Sequence, residues 1–116
     1  MRTPLLRTVS LNRVISVKAF DGRRVLLLTE DWLHIKVRHP EVGSEAELLA
    51  SALSHPDEAY SNSRGGVHAL KRLDEGHFLV VIYEPTNDEA YVRTAYLTSS
   101  RRKSRRYRGS PSLKRS

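Results

Sequence analysis

Three runs decide the fold: Val67-His-Ala-Leu-Lys-Arg72, His77-Phe-Leu-Val-Val-Ile-Tyr-Glu84 and Ala90-Tyr-Val-Arg-Thr-Ala-Tyr-Leu-Thr98. They are rich in β-branched and aromatic residues. The turn formers Asp74-Glu-Gly76 and Pro85-Thr-Asn-Asp88 separate them, so they read as consecutive antiparallel strands. Residues 78–83 of the middle run are apolar without a break, the pattern of a buried strand. In the last run, strict alternation places Val92, Thr94, Tyr96 and Thr98 on one face and Tyr91, Arg93, Ala95 and Leu97 on the other. A short strand at residues 58–61 is expected ahead of the three.

Towards the N-terminus, residues 13–20 and 25–29 read as two strands joined at Asp21-Gly22, a hairpin signal. Residues 32–41, Trp-Leu-His-Ile-Lys-Val-Arg-His-Pro-Glu, suit a helix capped by Thr29 or Asp31. Trp32, Leu33, Ile35 and Val37 would form its apolar side, with His34 and Arg38 opposite. Pro40 disfavours helical geometry at His39, which belongs at the helix end. Ser44-Glu-Ala-Glu47 reads as a capping box for a second helix, with Leu48, Leu49, Ala52 and Leu53 inward and Pro56 ending it. The predicted class is α+β: an N-terminal hairpin, then two helices packed on a three- to four-stranded antiparallel sheet.

The 116 residues suit one domain with an appendage. The net charge of +7 is localised: residues 1–100 hold 12 Lys/Arg and 13 Asp/Glu, whereas residues 101–116 hold 8 Lys/Arg and no acid. The basicity therefore belongs to the tail and not to the body. With one aromatic and one leucine in sixteen residues, the tail is expected to be disordered. Cysteine is absent, which excludes disulfides and thiolate metal sites and fits a reducing cytoplasm. No apolar run approaches the length of a membrane span, and the first residues lack the apolar core of a secretory signal. His68 and His77 show no metal-ligand spacing with carboxylates, so neither a metal nor a cofactor is expected.

His34, Arg38 and His39 offer groups suited to chemistry on a phosphodiester. Imidazole exchanges protons near neutrality, and guanidinium pairs two phosphate oxygens at once. The bland alternative is a helix end stabilised by cations. The Thr94/Tyr96/Thr98 row can hydrogen-bond a phosphate, or be an ordinary solvated strand face. Lys71 and Arg72 can add cations, or end an edge strand. In the tail, Arg101, Arg102, Lys103, Arg105, Arg106 and Arg108 are a polyanion-binding signal, to which Tyr107 could add base stacking.

The pattern Trp32-x-His34-x-x-x-Arg38-His39-Pro40-Glu41, a second helix ending at Pro56-Asp57, an apolar strand and Arg93-Thr94-Ala95-Tyr96 resembles the phage-associated branch of the barnase/EndoU/colicin/RelE-like nuclease superfamily. The resemblance covers about residues 13–100. It implies helices on an antiparallel sheet whose exposed face binds RNA. It also implies metal-independent endoribonuclease activity, as a toxin or phage-related effector held in check by a small acidic antitoxin or immunity protein. Arg38, His39, Thr94 and Tyr96 match by position, Arg72 by strand order alone. Two departures stand out: Gly-Gly-Val-His-Ala-Leu-Lys at 65–71, where an aromatic or basic cluster is expected, and the basic tail. The competing reading is a non-catalytic module that binds nucleic acid or a partner through that tail.

Overall fold

A computed structural model describes residues 13–43 and 45–114. The order is β1 (Arg13–Lys18), β2 (Arg24–Leu28), α1 (Thr29–Arg38), a 3-10 turn (Pro40–Val42), α2 (Ala46–Ser54), β3 (Glu58–Ser61), β4 (Val67–Asp74), β5 (His77–Pro85) and β6 (Glu89–Ser99). Helix α3 (Ser100–Arg106) and strand β7 (Ser112–Lys114) follow. The α+β class stands, but the sheet is seven-stranded and mixed, in the order β1-β2-β6-β5-β4-β3-β7. It exceeds the expected three or four antiparallel strands for two reasons. The N-terminal hairpin docks through β2 parallel to β6, and the tail adds β7 antiparallel to β3.

The expected two-residue hairpin turn is longer. Lys18 pairs with Arg24, which leaves a loop of residues 19–23. Gly22 takes a positive φ of 88°, a conformation that disfavours side chains. Asp21 organises the loop: one carboxylate oxygen accepts from the Arg23 N–H at 3.0 Å, the other from the buried Tyr83 hydroxyl at 2.9 Å. Burial, then the Asp21 carboxylate, push the Tyr83 phenol up.

Helix α1 faces the sheet with Trp32 and Ile35, whereas Leu33 (52% exposed) and Val37 (81%) point outward, contrary to the broad apolar side expected. At 100° per residue, positions 32 and 35 bracket the buried side of this short helix, and 33 and 37 fall away from it. Helix α1 is not capped by Thr29 or Asp31 as expected. Leu28 and Glu45 occupy the N-cap positions without side-chain hydrogen bonds, and Ser44 lies outside the described residues. At the other end, His39 leaves the helix at φ −133°, ψ 66° just before Pro40. Its N–H still reaches the Ile35 carbonyl at 2.7 Å.

Both faces of the sheet are covered. On one, α1 and α2 bury Leu27, Ile35, Leu49, Leu53, Leu79 and Val81 in the main core. On the other, Tyr60, Leu70, Phe78 and Val80 pack with Tyr107, and Ile82 and Tyr96 lie against them. Alternate residues of β5 thus enter different layers, which is why residues 78–83 are apolar without a break. A register shift between Ile82 and Tyr83 leaves Arg93 as the extra residue of β6. This bulge turns Val92 into the main core beside Ala95, so strict alternation misplaced Val92. Thr94, Tyr96 and Thr98, opposite Ile82, Val80 and Phe78, keep the common face expected of them.

The described part of the tail, residues 101–114, is built into the fold rather than disordered. Ser99 caps α3 by accepting from the Arg102 N–H at 3.1 Å, and the Ser100 N–H and hydroxyl bond the Gly76 and Glu75 carbonyls. Cations in its last turn suit the negative end of the helix dipole. Tyr107, 7% exposed, fills the second layer. The Lys103 ammonium lies 3.0 Å from the Glu58 carboxylate in a mostly buried pair. The compositional argument failed because an existing apolar sheet face needs only one aromatic to anchor a docked segment. Strand β7 joins the same sheet as β1 to β6, and Tyr107, just after α3, packs on it.

Candidate active site

A cavity of about 560 Å³ opens where the α3 face of the sheet meets the end of α1. His39, Ile82, Thr94, Tyr96, Thr98 and Arg102 line it, with Leu97 and Arg106. Each element delivers its group for a local reason. Pro40 stops α1 so that His39 turns to the sheet. The Arg93 bulge sets Thr94 and Tyr96 facing the cavity side. The Ser99 cap starts α3 so that Arg102 and Arg106, four apart, share a helix face.

The His39 and Tyr96 rings are 5.8 Å apart, tilted by 43°. The Glu41 carboxylate lies 3.4 Å from His39 Nδ1. Two like charges four apart on a helix repel. Here both guanidiniums line a cavity with no carboxylate in its wall, an arrangement that an anion would relieve.

Behind Tyr96 runs a buried polar chain. Asn62 Oδ1 accepts the Arg64 and Gly66 N–H groups at 2.9 Å, which fixes its amide to donate from Nδ2 to His68 Nε2 at 3.1 Å. His68 therefore carries its proton on Nδ1 and donates it to the Tyr107 hydroxyl at 2.8 Å. The Arg106 guanidinium lies 5.7 Å from the Tyr107 ring centre. Burial, then the neighbouring Tyr96 hydroxyl, push the Tyr107 phenol up.

Burial, then the Arg106 charge, hold His68 below its ordinary 6.5. Its unfolded form takes up a proton near 6.5 while the folded form resists, so the unfolded state binds more protons as pH falls. The contribution is complete above 6.5 and is lost as pH drops below it. Urea denaturation between pH 7.5 and 5 should show declining stability, and His68→Gln should flatten that decline. Equal slopes in the two proteins would rule out a buried neutral imidazole.

Of the residues singled out from sequence, the fold gathers His39, Thr94, Tyr96, Arg102 and Arg106. His34 and Arg38 are exposed on α1 and do not line the cavity. Arg72 lies on the same sheet face but over Phe78, 4.6 Å from the ring centre, and its Nη1 donates to the Glu75 carbonyl at 3.3 Å. The Lys71 ammonium donates to the His55 carbonyl at 3.1 Å, closing the end of α2. Lys103 is held by Glu58 and Phe78. Tyr107 stacks on Tyr60, rings 4.7 Å apart and 12° from parallel, not on a base. Arg101, Arg105 and Arg108 are exposed. Asn62 and His68 were missed, although alternation along β4 puts His68 on the same side as Leu70, the mark of an inward histidine. Among the described residues no helix is long and apolar enough to cross a membrane. No protein-family model matches the chain, and no curated protein or solved structure matches it.

Proposed function

We propose that this protein cleaves RNA without a metal ion, by attack of a ribose 2′-OH on the adjacent phosphate. The observation that carries this reading is the convergence of one imidazole, two guanidiniums, a phenol and two threonine hydroxyls on one cavity. His39 Nε2 takes the 2′-OH proton as the oxygen bonds to phosphorus. Arg102 and Arg106 hold the non-bridging oxygens and balance the added negative charge, the task a metal would otherwise perform. Tyr96 protonates the departing 5′-oxygen as its bond to phosphorus breaks, leaving a 2′,3′-cyclic phosphate. Thr94 and Thr98 orient the phosphate by hydrogen bonds. A small acidic protein laid over α3 would close the cavity, the part an antitoxin would play for a toxin or phage-related effector of the cytoplasm.

The test is incubation with end-labelled RNA in EDTA, followed by end-group analysis. Cyclic phosphate ends are expected; intact RNA, or 3′-hydroxyl ends, would sink the proposal. A second reading, a non-catalytic nucleic-acid-binding module, draws on the exposed guanidiniums of Arg101, Arg105 and Arg108. It requires RNA to bind and stay whole.

A further inference from the structure

We propose that a second cavity, on the far side of Arg106, holds the neighbouring phosphodiester of the same RNA strand, an inference that rests on the first cavity taking the scissile phosphate. The second cavity measures about 530 Å³ and is walled by Asn62, Ser63, His68, Arg106, Arg108 and Ser110, among others, with no carboxylate in its lining. Arg106 lines both cavities, so one guanidinium stands between two adjoining sites.

The chain reaches this place by a tight return. Gly109 adopts a positive φ of 81°, and the Ser110 N–H closes on the Tyr107 carbonyl at 3.0 Å. That turn leaves Arg108 and Ser110 at the rim, opposite the β3–β4 turn that supplies Asn62 and Ser63. His68 adds no charge, because its Nε2 accepts from Asn62; Arg106 and Arg108 supply the positive potential. Hydroxyls and guanidiniums without a competing carboxylate suit a singly charged phosphodiester. A third hollow along α3, about 390 Å³, has Glu58 in its wall and suits an anion less well.

A strand crossing Arg106 gains a phosphate contact only when long enough to enter the second cavity. The probes are 2′-O-methyl oligoribonucleotides of two and four residues, which lack the attacking hydroxyl and stay uncleaved. In the unaltered protein the longer probe should bind about tenfold tighter, as one added charge-assisted contact would give. Its salt dependence should steepen by about 0.7 for each phosphate engaged. Arg108→Ala should remove most of that gain and leave the shorter probe's affinity unchanged. Arg101→Ala removes an equal charge from α3 outside both cavities and should leave the gain intact. A gain that survives Arg108→Ala, or falls equally in both variants, overturns the second site. Binding of the short probe with no gain in length overturns it alone, whereas failure of both probes to bind overturns the first-cavity reading as well.

Discussion

Tyr107→Ala is expected to destabilise the protein by about 3–5 kcal/mol, the range for removing a buried aromatic side chain. A domain of this size has about 5–15 kcal/mol in total, so the variant would be marginal. The lost side chain stacks on Tyr60, meets the His68 ring edge-on at 5.4 Å and closes the layer over Leu70, Phe78 and Val80. Tyr107→Phe keeps that packing but leaves the His68 Nδ1–H without its acceptor, and should cost about 1–3 kcal/mol. Ending the chain after Ser99 should cost most, because it also exposes the apolar face and leaves Glu58 without Lys103. Urea denaturation orders the three. An unchanged midpoint for Tyr107→Ala would mean that the C-terminal segment does not dock as described.

That segment shows how far the sequence could be read. Residues 78–83 announce a strand covered on both faces, and the capping and apolar spacing of the first half supply helices for only one. The second cover had to come from elsewhere in the chain, and among the described residues the segment after Ser99 supplies it. Composition pointed the other way, since a free chain of that content cannot offset its ordering entropy. What composition omits is that a strand face already built by other residues waits for a partner, and Tyr107 alone contributes the ring that fits it. Strands β1 to β6, both sequence-read helices and the stop at His39 were legible because periodicity and Pro40 act locally. The parallel pairing of β2 with β6 was not, because neither strand's own pattern encodes its neighbour.

The same division holds for the site. Thr94, Tyr96 and His39 were readable as candidates from residue type, and they do meet. His34 and Arg38 looked equally suitable, yet the helix rotates them to the solvent side. Which of two histidines five residues apart faces the sheet depends on where Pro40 breaks the helix, and on which stripe packs. Arg102 and Arg106 were legible as cations but not as cavity walls, since that needs α3 to begin at Ser99. The Arg93 bulge decided Val92's side, and nothing in the local alternation marks it.

His39→Ala should lower the rate of RNA cleavage in EDTA by a factor of about 10² or more, the usual contribution of a positioned proton-transfer group. His34→Ala, on the same helix but outside the cavity, should leave it within about twofold of the parent if proton transfer is confined to groups within reach of the substrate. That pair separates a chemical role from a general loss of positive character at this end of α1. Arg102→Ala should cost about 10²–10³ through lost charge stabilisation, and Arg102→Lys should restore only part, since an ammonium cannot fork across two oxygens. Glu41→Gln keeps the shape but removes the charge 3.4 Å from Nδ1, so a smaller loss of rate is expected. Stability measured alongside should be nearly unchanged for His34→Ala and Glu41→Gln, because both side chains are largely exposed. Full EDTA-resistant cleavage by His39→Ala would remove the imidazole from the mechanism. The same result with His34→Ala inactive would transfer the role to the outer face of α1, away from the cavity that gathers the guanidiniums and hydroxyls.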